Sequence, residues 1–177
     1  MKKKLNFLFI LVILTSCGSG IKINKKDFSP IDKNFNNSFE NKSHLTKGLN
    51  NYNENKTILE YFEINKKNID SVYFYFNRNN DLILTFRDSL KTFKEIFSGK
   101  FKNKGYYEIF IRNYKKEIPP FVPFIYGTRD IKRLRIGFTK DNELVIDNKW
   151  ARDGNIFILS GGGSGRYRSY FKLIKKN

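Results

Sequence analysis

From about residue 70 onward, apolar and polar positions alternate in short runs separated by polar or glycine-bearing turns. That period of two is the mark of half-buried β-strands. In "VYFYFNRNNDLILTF", Val72, Phe74 and Phe76 predict one apolar face against Phe86, Leu84 and Leu82 across a polar loop. Tyr73 and Tyr75 then fall on the other face, opposite Thr85 and Ile83. "FSGKFKNKGYYEIFIR" predicts a second hairpin turning at Asn103-Lys104-Gly105. It pairs Phe101 with Tyr107 and Phe97 with Ile111, and sets Gly99 opposite Ile109, where a missing side chain relieves crowding or marks a bend.

A third hairpin, "RLRIGFTKDNELVID", turns at Lys140-Asp141-Asn142, with Leu134, Ile136 and Phe138 matched by Leu144 and Ile146. "NIFILSGGGSGRYRSYFKLI" predicts a last hairpin around a glycine-rich turn. Between the second and third, "IPPFVP" is a stiff connector, because proline lacks the donor that a central strand needs. Ahead of the strands, "TILEYF" predicts one short helix, capped by Asn55 or Thr57, with Ile58, Leu59 and Phe62 inward.

About eight strands within ~120 residues predict an all-β, mainly antiparallel domain, either a small barrel or a sandwich. In the barrel case its outline is similar to that of a lipocalin. No helical period separates the strands, which argues against a parallel α/β sheet.

Residues 18 to 48, "GSGIKINKKDFSPIDKNFNNSFENKSHLTKG", carry Phe28, Phe35 and Phe39 without helical or strand spacing. Such a composition buries too little to offset ordering, so residues 17–48 are expected to be a flexible, disordered tether and 49–177 the β-domain. His44, the one histidine, is expected to be solvent-exposed there.

The N-terminus has another pattern. Lys2, Lys3 and Lys4 precede Leu5 to Leu14, which are apolar except for Asn6. This is the layout of an export signal, too short for a spanning helix of about 20 residues. Leu14-Thr15-Ser16-Cys17 follows, with the one cysteine of the chain. It resembles the lipobox of bacterial lipoproteins, over the first 17 residues only. The resemblance implies that residues 1–16 are removed and that Cys17 carries a diacylglyceryl group on its sulfur and commonly an amide-linked acyl chain such as palmitate. Two or three acyl chains anchor a protein stably where one does not. It further implies an exported protein, lipid-anchored to the cell membrane or outer membrane, with its domain in the periplasm or at the cell surface.

Composition adds charge to this picture. There are 34 Lys and Arg against 17 Asp and Glu, a formal net charge of +17. Such a surplus favours polyanions. An exported compartment disfavours nucleic acid and leaves anionic lipid, lipopolysaccharide or acidic glycan as partners. With 18 Phe and 10 Tyr, the chain has the aromatic content of a packed core rather than of a disordered segment.

Candidate chemistry is sparse. "SGGGSGR" lacks the lysine and the following helix of a phosphate-binding P-loop, because strand alternation resumes at Tyr167. It reads as a hairpin loop, or as a nest of backbone N–H groups flanked by Arg166 and Arg168. Arg133 and Arg135 alternate outward on one strand, as do Arg166 and Arg168 on the last, which predicts one basic, anion-binding face. Against this stands ordinary cross-strand pairing, with Arg135 opposite Asp147 and Glu143 nearby. Trp150 is expected in a loop, plugging one end of a barrel. No catalytic residue, cofactor or metal site is predicted. The leading expectation is a non-enzymatic binding or structural domain at the envelope. The alternatives are a carrier of a small apolar ligand within a barrel, and a glycan- or cell-wall-acting enzyme with two carboxylates in a groove.

Overall fold

Alternation along the chain becomes pairing in a computed structural model, which describes residues 28–48, 55–118, 126–157 and 159–174. Three strands come before the helical turn: β1 (Phe28–Ser29), β2 (Asn36–Glu40) and β3 (Leu45–Gly48). α1 (Ile58–Tyr61) leads into β4 (Ser71–Phe76), β5 (Leu82–Arg87), β6 (Thr92–Phe97) and β7 (Gly99–Lys102). Four long strands complete the fold: β8 (Tyr106–Ile118), β9 (Tyr126–Thr139), β10 (Glu143–Ile156) and β11 (Leu159–Lys172).

All described pairings are antiparallel. One sheet runs β3-β11-β10-β9-β8-β7, with β1 also on β9; the other runs β2-β4-β5-β6. The architecture is an open sandwich, not a closed barrel, so the lipocalin-like outline does not hold. Two features explain why. The long strands have 13 or 14 residues while β4, β5 and β6 have 6, so no common stagger can close a cylinder. The chain also changes sheets at Ser98, since Phe97 pairs with Leu82 in one sheet while Gly99 pairs with Ile109 in the other. The expected pairing of Phe97 with Ile111 fails for this reason. Gly99 is the corner itself: a Cβ there would stand 2.5 Å from the Glu108 carbonyl and 2.6 Å from the Tyr107 ring.

The apolar faces meet between the sheets. Phe39, Phe74, Leu84, Tyr107, Leu134, Leu144 and Phe171 are buried there. Phe39 sits edge-on to Phe74 at 5.7 Å and beside Phe138 at 6.1 Å. Full burial of one such side chain stabilises by roughly 1.5–3 kcal/mol. Large side chains fill the layer between the two sheets.

The first and third hairpins hold in register, with Val72 facing Phe86, Phe74 facing Leu84, and Ile136 facing Ile146. α1 forms as expected: Thr57 accepts from the Glu60 N–H at 3.2 Å, and Glu60 accepts from the Thr57 N–H at 3.3 Å. This reciprocal cap satisfies donors that a helix start leaves unpaired.

The expected tether, in contrast, is largely structured. Residues 17–27 lie outside the described residues, but 28–48 supply three strands. Phe39 is fully buried, and Asn41, Ser43 and Thr46 are buried beside it. These polar anchors are satisfied internally. Asn41 donates to the Ile69 carbonyl at 3.0 Å and accepts from the Leu59 N–H at 3.2 Å. The Thr46 hydroxyl meets Ser169 at 2.6 Å and Ser43 at 3.0 Å. A segment that packs through one Phe and several hydrogen-bonded polar groups shows no apolar period.

The glycine-rich stretch is strand, not loop. Gly161 to Gly165 pair with Gly154 to Trp150, and the turn lies instead between Ile156 and Leu159. Trp150 is likewise within β10 rather than in a loop. Most of "IPPFVP" lies outside the described residues; Ile118 ends β8.

Candidate functional site

Strand alternation in "RLRI" turns Leu134 and Ile136 into the core, so Arg133 and Arg135 emerge on the outer face of the larger sheet. The registers carry that face across the whole sheet. Lys47, Arg168, Asp147, Arg135, Glu108 and Lys100 are successive cross-strand partners on β3, β11, β10, β9, β8 and β7. They form one polar row, its members about 4.8 Å apart. A second row beside it runs Arg166, Lys149, Arg133 and Phe110. All four arginines singled out from the sequence share this face.

Two carboxylates organise the rows. Glu108, which is 7% exposed, accepts from Arg135 Nε at 2.8 Å, pairs with Lys102 Nζ at 3.0 Å and has Arg133 Nη1 at 3.7 Å. Burial pushes its carboxyl up, but the bonds from Arg135 and Lys102 and the charge of Arg133 outweigh this and hold it below its ordinary value. Asp147, which is 3% exposed, takes a two-pronged bond from Arg166 at 2.9 and 3.2 Å and has Arg168 Nε at 3.6 Å. Arg135 thus lies opposite Asp147 in the ladder, as expected, yet gives its guanidinium to Glu108 on the other side.

Glu143 does not serve the arginines; its partner is His44 at 2.6 Å, so the histidine expected in a tether is part of the fold. Aromatic rings complete the face. The Arg135 guanidinium lies 5.1 Å from the centre of Tyr106, and Lys47 lies 5.7 Å from that of Tyr170.

Charge does not balance here. Eight cations (Lys47, Lys100, Lys102, Arg133, Arg135, Lys149, Arg166 and Arg168) share the two rows and their margin with the carboxylates of Glu108 and Asp147. The arginines are ion-paired and share one face, but the partners differ from those anticipated: Glu108 takes Arg135, and Asp147 takes Arg166. Sequence reasoning missed Lys47, because it lay in the assumed tether. It missed Glu108 as well, although alternation in "YYEIF" places that residue outward between Tyr107 and Ile109.

Other chemistry is thin. Among the described residues, no group of three His, Cys, Asp or Glu could hold a metal ion. Glu108 is shifted the wrong way for a general acid, which needs a raised pKa. The Tyr61 and Ser169 hydroxyls meet at 2.6 Å, but Ser169 is fully buried and its contacts are other hydroxyls, so they brace the core. Trp150 does not plug an end; it lies against Gly163 and Gly165.

No family model, no curated protein and no solved structure matches the chain.

Proposed function

We propose that this chain is a non-enzymatic envelope lipoprotein, held by lipid on Cys17, whose basic sheet face rests on anionic envelope components. The observation that carries the reading is the surplus of cations on one face, close to Phe28, the first described residue. Phe28 pairs with Thr139 on β9. Arg135 and Arg133 lie four and six residues along the same strand, about 13 and 20 Å away at strand rise. The residues between Cys17 and Phe28 span at most about 40 Å when fully extended. A bilayer reached by that tether is therefore well within range of the basic face. The opposite end of β9, at Tyr126, is about 43 Å from Thr139 and lies at the limit of that reach.

Exposed charges act over about 8–10 Å at ordinary ionic strength, so contact must be close and salt-sensitive. Two measurements test the reading. Labelling cells with an acyl-chain analogue should mark the native chain and not Cys17→Ala, which should accumulate as uncleaved precursor. The mature chain carrying Cys17→Ser should sediment with vesicles containing anionic phospholipid at low salt, and release as salt rises. Label on the alanine variant sinks the anchor. Failure to sediment at low salt sinks the basic-face reading.

A further inference from the structure

Where β3 ends, the outer face is indented. Lys47, Gly48, Asp147, Arg166 and Arg168 line a notch of about 230 Å3. That is below the roughly 300–1,000 Å3 typical of sites for whole small molecules, and suits a single charged group. Three of the lining residues are cations and one is a carboxylate, a local surplus of two positive charges.

The carboxylate is already spent. Both oxygens of Asp147 accept from Arg166, at 2.9 and 3.2 Å. Arg168 is left short: its Nε is buried 3.6 Å from Asp147 Oδ1 and makes no hydrogen bond among the described residues. Lys47, its register partner, leans over the Tyr170 ring and has no acid partner among the described residues. Gly48, cross-strand partner of Tyr167, lines the notch through its backbone only, since its Cβ direction is toward the Tyr167 ring on the other face of the sheet.

We propose that this notch binds a phosphate monoester group, with Arg168 and Lys47 holding its oxygens and the Asp147–Arg166 pair fixing the frame around them. Charge selects the ligand class. A monoester carries about −1.5 to −2 near neutral pH, matching the local surplus, whereas a carboxylate or phosphodiester carries only one charge. Geometry agrees, because the planar guanidinium fork fits two phosphate oxygens side by side. The proposal names a ligand class for the basic face and relies on the membrane reading only if the phosphate belongs to a lipid headgroup. A soluble phosphate monoester has the same chemistry.

The test uses the mature chain, with side-chain N–H signals of arginine followed by NMR during titration with glycerol 3-phosphate or with dimethyl phosphate. Saturable shifts of the Arg166 and Arg168 signals are expected with the monoester, at least tenfold tighter than with the diester. Lys47→Gln, at an exposed position, and Arg168→Gln should each weaken binding about tenfold. Arg168→Lys, which keeps the charge but loses the fork, should weaken it several-fold. Circular dichroism checks folding, and if Arg168→Gln unfolds, the lysine variants decide. Absence of a saturable shift, or equal affinity for both esters, overturns the proposal.

Vesicles separate the sources of the phosphate and the two readings. Preference for phosphatidic acid over the same fraction of phosphatidylserine, competed by glycerol 3-phosphate, assigns the group to lipid. Monoester binding without any vesicle binding assigns it to a soluble ligand, and retires the basic-face reading while the notch stands. Equal binding to both vesicles, with no monoester saturation, does the reverse.

Discussion

Trp150 fills the space that Gly165 leaves empty. The two residues are cross-strand partners on β10 and β11, and a Cβ on Gly165 would stand 2.6 Å from the indole Nε1. The neighbouring Gly163 would bring its own Cβ to 3.4 Å from the same ring. The glycines of "SGGGSG" are therefore not a flexible hinge at this point. They form a flat bed that lets one indole lie down on the sheet, the aromatic covering of strand glycines that sheets use to protect backbone.

Gly165→Ala should lift that indole. Overpacking of this kind costs about 1–3 kcal/mol. Trp150 is the one tryptophan in the chain, so emission reports it directly. A red-shifted spectrum and a lower urea midpoint are expected; an unchanged spectrum would contradict the packing described.

Phe39 measures whether residues 28–48 belong to the fold. It is fully buried and touches aromatic rings from β4 and β9. Phe39→Ala should cost roughly 3–5 kcal/mol, as for other buried aromatic truncations. Removing residues 28–48 altogether should abolish cooperative unfolding. A shortened chain with the original transition would restore the tether view.

Glu108 makes stability depend on acid. Its carboxyl is held below its ordinary 4.5 in the fold, so the unfolded chain takes up the proton first. The contribution is whole above about pH 4.5 and is lost as pH falls through the lower folded value. Glu108→Gln should flatten the acid arm of a urea-midpoint profile. At neutral pH it should also cost roughly 3 kcal/mol, because Arg135 loses its partner in a mostly buried position. Parallel acid profiles for the two chains would refute this role.

Tyrosines do the same at the alkaline end. Burial pushes Tyr61 up to about 12 against the hydrogen bond to Ser169, and burial likewise raises Tyr107 to about 12. Both stay neutral in the fold after ionising in the unfolded chain, so stability should fall as pH climbs from about 10 toward 12. Tyr61→Phe should cost about 1 kcal/mol near neutral pH and reduce that alkaline slope. Absorbance of tyrosinate and a denaturant midpoint, recorded together, check both points.

How much of this was legible depends on what each segment buries. Strands β4, β5, β9 and β10 bury alternate large apolar residues, so their faces and even their cross-strand partners followed from spacing. The segment 36–48 buries Phe39 together with Asn41, Ser43 and Thr46, and hydrogen bonding inside a core leaves no trace in hydropathy. Residues 161–165 looked like a turn because local composition says nothing of an indole fifteen residues upstream of Gly165. On the basic face, alternation placed the arginines correctly. Their partners could not be read, because Arg135 chooses between two flanking carboxylates by side-chain reach, and only three dimensions decide that.

The pairing of β3 with β11 has a consequence in time. Thr46 and Ser169 are ladder partners joined through their hydroxyls, although they lie 123 residues apart. Contacts so distant along the chain carry a large loop-closure cost and form slowly. A nascent chain holds β2 and β3 long before β11 exists, with Phe39 lacking the Leu173 segment that bridges to it. β2 can pair with β4 as soon as that strand is made. β3, whose described partner is β11, waits for the end of the described chain, a window in which a chaperone can hold the larger sheet open.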